Sequence, residues 1–309
     1  MIVGRYVIKR LLETIPVFFG ATFLIFAMVF ALPGDPLRRL TGDKPLTPAV
    51  QRALEEEYNL NDSLPIQYGK YVAGLAQGDF GQTFRGRPVV DIMVEKFPIT
   101  ARLALIAFAF EAILGLIAGL LAGLRKGSFI DNLVLVSTIV VVSIPVFVLG
   151  FLAQLILGGE LGWFPVAGIR NGFQSYLMPG MVLGSLSLCY IARLLRASLG
   201  ENLRADYVRT ATAKGLTRAR VVGRHTLRNS LIPIVTFLGV DLGFLMGGAI
   251  VTETIFNIPG VGRAVYDAVR GQDGPLVVGI VTAGVLIFMF SNLIVDLLYG
   301  LLDPRIRYD

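Results

Sequence analysis

The chain has 309 residues, 54% of them hydrophobic and 16% charged, and carries a net charge of +6. That is too apolar for a soluble domain and too sparsely charged for a peripheral one, so the chain reads as an all-α, polytopic membrane protein. Its basic residues sit on alternate connections between apolar runs, a distribution that reflects membrane topology and excludes a nucleic-acid footprint.

Arg5, Lys9 and Arg10 precede an apolar run over 11–32, which is longer than a signal-peptide core and lacks a small-x-small cleavage site at its end. It is expected to be a first transmembrane helix, since about 20 helical residues cross the hydrocarbon core. Runs of adequate length follow at 100–124, 132–157, 175–195, 231–252 and 276–302. Six spans place both termini on one side. The connection 193–228 holds nine Lys and Arg against Glu201 and Asp206, whereas 158–174 and 253–274 are balanced or slightly acidic. The positive-inside rule therefore predicts N-in, C-in, with the Arg125-Lys126 loop also cytoplasmic. Three parts result: 1–32, the tail and first helix; 33–99, a long external segment; and 100–309, a five-helix core bathed in lipid with a basic segment at 201–230.

Within the external segment, Thr47-Pro48 reads as a cap followed by proline at the first helical position, with Val50, Leu54 and Tyr58 on one face. The following stretch, SLPIQYGKYVAGLAQGDFGQTFRGRPVVDIM (63–93), mixes glycines with aromatics and suits a compact loop. Further along, Gly115, Gly119 and Gly123 in the second span, and Gly239, Gly243 and Gly247 in the fifth, recur every four residues. Such small faces let helix backbones approach closely in lipid, so they are expected to be helix contacts. Glu111, Asp241 and Asp296 lie inside apolar runs, where each charge is costly. Asp241 sits roughly 200° around the helix from both Gly239 and Gly243, at about 100° per residue, which leaves a wet pathway or a polar partner as its surroundings.

Catalytic machinery is absent from the pattern. No Gly-x-x-x-x-Gly-Lys-Ser/Thr occurs, and Gly69-Lys70-Tyr71 lacks the spacing of a phosphate cradle, so any ATP must be bound by another chain. Gly260-Val261-Gly262 follows a proline and reads as a turn. His225 is the only histidine, which leaves no multi-histidine metal site, and Cys189, the only cysteine, lies in an apolar run as a packing residue.

The segment DYVRTATAKGLTRARVVGRHTLRNSLIP (206–233) is basic and stands between two apolar runs. Gly215 takes φ > 0 at no steric cost and Thr217 is placed to N-cap a second short helix, giving a helix–turn–helix beside the membrane. The order of Ala211, Gly215, His225, Leu227 and Pro233 resembles the cytoplasmic coupling segment of ABC importer permeases, in the form of the peptide importer family. Arg209 and Thr210 depart from the Glu and Ala that many such permeases carry there. PGDP (33–36), SIPVFVLG (143–150), LGWFPVAG (161–168), TETIFNIPGVG (252–262) and NLIVDLLYGLLDPRIR (292–307) resemble that family at corresponding places, so the likeness spans nearly the whole chain.

The resemblance implies the B-type permease subunit of a dipeptide/oligopeptide importer in a bacterial inner membrane. It further implies a second, homologous permease, two ATPase subunits that bind ATP and Mg, and an external solute-binding protein, with no enzyme activity and no cofactor in this chain. Nickel, glutathione and haem importers share these features, so the cargo stays open. On this reading Arg209, Thr210, Ala211, Lys214, Gly215, Leu216 and His225 couple to the ATPases, and Asp241 and Glu111 are candidates for the pathway. The rival from another class is a secondary transporter or channel driven by an ion gradient through the buried acids. It would need no ATPase partner; inverted repeats and broken helices would favour it, and the two halves show no internal repeat. An intramembrane enzyme would need paired catalytic groups that the sequence lacks.

Overall fold

The computed structural model describes residues 2–31, 52, 61–246 and 249–302, and among these the side chains of 10 and 12–294. The amphipathic helix expected around Pro48, the PGDP stretch, Gly247, the side chain of Asp296, and within the 292–307 motif the side chains beyond 294 and all of 303–307 therefore lie outside the described residues. Among the described residues the regular structure is helical apart from one isolated bridge between Gln82 and Pro88, and turns and irregular loops connect the helices.

In chain order the helices are α1 (Ile2–Phe30), α2 (Leu64–Leu75), α3 (Val89–Leu124), α4 (Phe129–Ser143), α5 (Val146–Glu160), α6 (Gln174–Asn202), α7 (Asp206–Ala213), α8 (Arg218–Ser230), α9 (Ile232–Met246), α10 (Ile250–Ile255), α11 (Val261–Arg270) and α12 (Gly274–Leu302). Four of them, α1, α3, α6 and α12, are each long and apolar enough to cross a bilayer, and the bent pairs α4–α5 and α8–α9 raise that to six. Their outward faces carry bare apolar side chains such as Ile113, Val136 and Phe244, as a lipid solvent requires.

Side-chain contacts fix the direction of each crossing. Gly180 of α6 faces Ile106 and Ala107 of α3, and Gly115, Gly119 and Gly123 face Ile191, Ala192–Leu195 and Leu199 in turn, so α3 and α6 run parallel. The intervening α4–α5 pair must therefore return the chain across the membrane as one span. Ile234 packs with Ile191 and Leu195 while Leu245 packs with Ala104 and Ala107, so α9 runs opposite to α3. Gly274 lies against Val29 of α1, and Gly279 against Val89 at the start of α3. The six crossings thus alternate, and the first residues of α1 share an end with the last turns of α3 and α6.

Three elements differ from the sequence expectation. The second span begins at Val89, eleven residues before the apolar run, because Asp91, Glu95 and Lys96 occupy turns of α3 that rise above the hydrocarbon. The third breaks by 100° at Ile144–Pro145. The residue before proline is pushed out of the α region, and Ile144 is extended at φ −96°, ψ 125°. The stretch 64–75, expected as a loop, is a helix with Pro65 in its first turn. Its Tyr68 hydroxyl lies 2.8 Å from Thr22 Oγ1 and donates to the Phe19 carbonyl at 3.0 Å, fastening it to α1.

Candidate functional sites at two ends and at mid-depth

At one end, α6 closes at Asn202 and the chain enters α7, a turn and α8. Val208, Ala211 and Val221 are buried together with Leu216 packed on them, which makes a small apolar core of the segment's own. Gly215 holds φ +79°, and a Cβ there would meet nothing within 4 Å, so glycine is required by the backbone rather than by crowding inside this chain. Thr217 occupies the N-cap position of α8 with extended backbone, but its side chain makes no capping hydrogen bond, contrary to the expected cap. Arg209, Thr210, Lys214 and Gly215 are exposed and His225 is half-buried. Arg209 approaches Asp206 at 3.6 Å with both side chains in solvent, a geometry that contributes little. Beneath this unit, Asp131 of α4 is buried and accepts from Arg196 of α6, at 2.8 Å for Nη2–Oδ2, and from the Gly127 amide at 2.8 Å. That pair ties the α3–α4 turn to α6 just before the basic segment.

At mid-depth α3, α6 and α9 meet. A Cβ at Gly119 would lie 2.7 Å from the Ala192 carbonyl oxygen, and one at Gly184 would lie 2.7 Å from the Ala107 carbonyl oxygen. The glycines of α3 therefore set its distance from α6. Of the other ladder, Gly243 lies against Ser291 and Phe288 of α12, and Gly239 is half-buried. Asp241 points elsewhere: Ser187 of α6 donates to its Oδ1 at 3.2 Å, and its carboxyl neighbours that of Glu111 of α3 with no hydrogen bond between them. Among the described residues no group donates to either Glu111 oxygen or to Asp241 Oδ2. Glu111 is fully buried, while Asp241 is half-buried with its Oδ2 enclosed. Two carboxyls brought together at this depth need a shared proton, a cation or an outside donor to complete them.

The other end is built around a residue that sequence reasoning did not single out. Glu253 of α10 is 0% exposed. Its Oε1 accepts from Thr100 Oγ1 at 2.6 Å and its Oε2 from the Arg263 amide at 2.9 Å, while Thr100 Oγ1 itself accepts from the Val261 amide at 2.8 Å. The carboxylate thereby closes the N-terminus of α11, where unpaired amides and the helix dipole favour a negative group. Burial pushes the Glu253 carboxyl up from the ordinary range, and bonds from Thr100 and from the Arg263 and Gly262 amides pull it back. The TETIFNIPGVG motif follows from this geometry. A Cβ at Gly260 would come within 2.5 Å of Glu253 Oε1 and Thr100 Oγ1, Asn257 turns the chain at φ 53°, and Phe256 and Ile258 bury themselves among Leu103, Tyr176 and Met178. Gln154 donates to the Ile255 carbonyl at 3.0 Å, so α5 is fastened to the same loop. The signal available in the sequence was an acid just past an apolar run, followed by a Pro-Gly turn.

Comparison with known proteins follows this layout. Residues 115–308 match the family model of binding-protein-dependent transport system inner membrane components, and residues 3–104 match its N-terminal companion. The dipeptide transport system permease protein DppB of Alkalihalophilus pseudofirmus is 35% identical, across 98% of this chain and 99% of that protein. The di/tripeptide permease DppB of Pseudomonas aeruginosa is 38% identical across 98% of both, and the glutathione transport system permease GsiC of Escherichia coli K12 is 38% identical across 98% and 99%. Among solved structures, an inward-facing MetNI methionine ABC transporter chain aligns over 69% of this chain and 97% of its own, with a TM-score of 0.57 at 18% identity, a likeness of fold. Members of this family are transport components and not themselves enzymes. The chain belongs to the inner membrane components of binding-protein-dependent transport systems, as a multi-pass bacterial permease of the peptide-type ABC importers.

Proposed function

We propose that this chain forms half of a pathway for peptides, enclosed with a second, homologous permease. Two ATPase subunits holding ATP and Mg engage the basic segment from the cytoplasm, and an external solute-binding protein delivers cargo to the opposite face. The observation that carries this reading is the exposed turn at Arg209, Thr210, Lys214 and Gly215, held rigid by its own apolar core and joined directly to two spans. α8 runs on into α9 with a bend of 44° at Leu231, where Pro233 removes an amide and crowds the preceding turn. Pushing α7 therefore displaces the fifth span, and through Asn202 the fourth. Peptide cargo is supported by the dipeptide and di/tripeptide relatives, and the glutathione relative, itself a carrier of a peptide-like solute by its name, supports the same class.

Asp241 is the less buried member of the mid-depth pair, though its Oδ2 is itself enclosed, so cationic or zwitterionic cargo would meet it before Glu111, which lies fully buried behind it. Sidedness is tested by single cysteines: one at Gln77 reacts with an impermeant thiol reagent from outside, and one at Ala219 only after the membrane is opened. The reverse pattern sinks the N-in, C-in arrangement. Partners are tested by purifying the chain from its native membrane and identifying what accompanies it; recovery without any ATPase chain would overturn the assembly.

A further inference from the structure

The densest run of basic residues in the sequence lies at the end that carries α7 and α8, but the described residues also place a group of cations at the other end. At the opposite end a cavity of 810 Å³ opens between the 83–87 turn, the first turns of α3, the loop at 168–170 and α11. Its walls include five side-chain cations, Arg85, Arg87, Lys96, Arg170 and Arg263. The positive-inside rule gives no reason for such a cluster on that side.

The acids nearby do not cancel it. Asp267 lies 3.6 Å from Arg263, and Asp273 Oδ1 is occupied by the Phe84 and Leu276 amides at 3.4 and 3.3 Å. Glu95, on the rim, meets Arg87 at 2.9 Å and Lys96 at 3.7 Å. Arg85 and Arg170 are exposed and form no ion pair among the described residues, although the Asp273 carboxylate lies within electrostatic reach of Arg85. Between the cations the wall is apolar at Ile92, Ala264 and Leu276. The volume falls within the roughly 300–1,000 Å³ of small-ligand sites, and a positive rim over an apolar floor suits a small molecule that carries an anion beside a hydrocarbon side chain.

We propose that this cavity is a cargo subsite that takes the C-terminal carboxylate of a short peptide, with Arg85 and Arg170 as its contacts and the apolar floor receiving the last side chain. The proposal rests on the sidedness and cargo class argued above. An acidic surface of the delivering protein is the competing occupant, but an inset volume fits a single carboxylate better than a flat protein face.

The test uses the purified, complete transporter without its binding protein. Phenylglyoxal modification of Arg85 and Arg170 is followed by mass spectrometry, alone and with millimolar trialanine or trialanine amide. The expected result is several-fold slower modification of both arginines with trialanine and markedly weaker protection by the amide. No protection by either peptide, or equal protection by both, overturns the proposal. In proteoliposomes supplied with binding protein, Arg85→Gln/Arg170→Gln should lose most trialanine uptake while retaining stimulation of ATP hydrolysis by the binding protein. Loss of that stimulation together with uptake would assign the cavity to the protein instead. If the unaltered transporter moves neither peptide, the cargo reading fails, while the protection experiment still decides the site.

Discussion

The two ends of the molecule solve opposite problems with similar lengths of chain. Between Asp206 and Ser230 the Asp, Lys and Arg side chains face solvent, over a small apolar core under Ala211 and a buried foot at Thr226 and Ser230. Between Ile250 and Arg270 a carboxylate is enclosed, every part of it matched to a donor, and the loop around it is sunk into the main core. A segment that lies in solvent can leave its side chains free. A segment that must hold helix ends together at the membrane boundary cannot, because unpaired polar groups there are expensive. Substitutions at the buried end should therefore act on folding, and those at the exposed end on transport alone.

The largest effect is expected from Glu253→Ala. It strands the Thr100 hydroxyl and the Arg263 amide, at about 1–3 kcal/mol for each buried group left unmatched. The purified chain should show a lowered Tm and reduced abundance in the membrane; an unchanged Tm would break the contrast between the ends. Gly119→Leu comes next. Its side chain must displace the Ala192 carbonyl region of α6, and overpacking of this kind costs about 1–3 kcal/mol. Thermal unfolding should register the loss, whereas Gly243→Ala, which meets only Ser291 and Phe288 side chains at 3.0–3.3 Å, should be milder.

Gly215→Trp sharpens the comparison from the other side. The left-handed backbone penalises any L-residue by about 1–2 kcal/mol, yet the space around it is open, so the chain should insert and accumulate while transport is lost. Normal uptake with cargo-stimulated ATP hydrolysis would refute the coupling role. Arg209→Glu, whose side chain is 79% exposed, should change stability by less than about 0.5 kcal/mol and still reduce transport.

The smallest effect concerns pH. Burial raises the Glu253 carboxyl above its unfolded value, so its contribution is fully present below the unfolded value of about 4.3 and is lost as pH rises through the higher, folded one. The difference in Tm between the unaltered chain and Glu253→Gln should therefore shift steadily as pH rises from 4 toward neutrality, on the order of a degree or two. A pH-independent difference would mean that the carboxylate is as comfortable folded as unfolded.

Much of this layout could be read in advance, and what was missed has a common cause. Apolar runs and basic connections report the number and order of spans because lipid imposes both on a single segment at a time. Gly115, Gly119 and Gly123 showed in advance that a close contact exists, though not that α6 is its partner. The meeting of Glu111 with Asp241, and of Glu253 with Thr100 more than a hundred residues away, depends on how three spans cross, which no local pattern encodes. The elbow at Pro145 was legible in principle from the pre-proline rule, but an uninterrupted apolar run concealed it.

The length of α3 has a mechanical consequence. Its 36 residues stay helical across Pro98 and extend roughly 54 Å, well beyond the hydrocarbon thickness of about 30 Å. One end packs through Val89 and Thr100 on the loop and helix around Glu253, and the other lies, through Gly123, on the last turns of α6. A rod clamped at both faces behaves as a crankshaft: tilting it by about 5° swings one tip roughly 5 Å relative to the other over that span. Opening at one surface and closing at the other then need no relay of side chains between them, since a single stiff body would carry the motion through the bilayer.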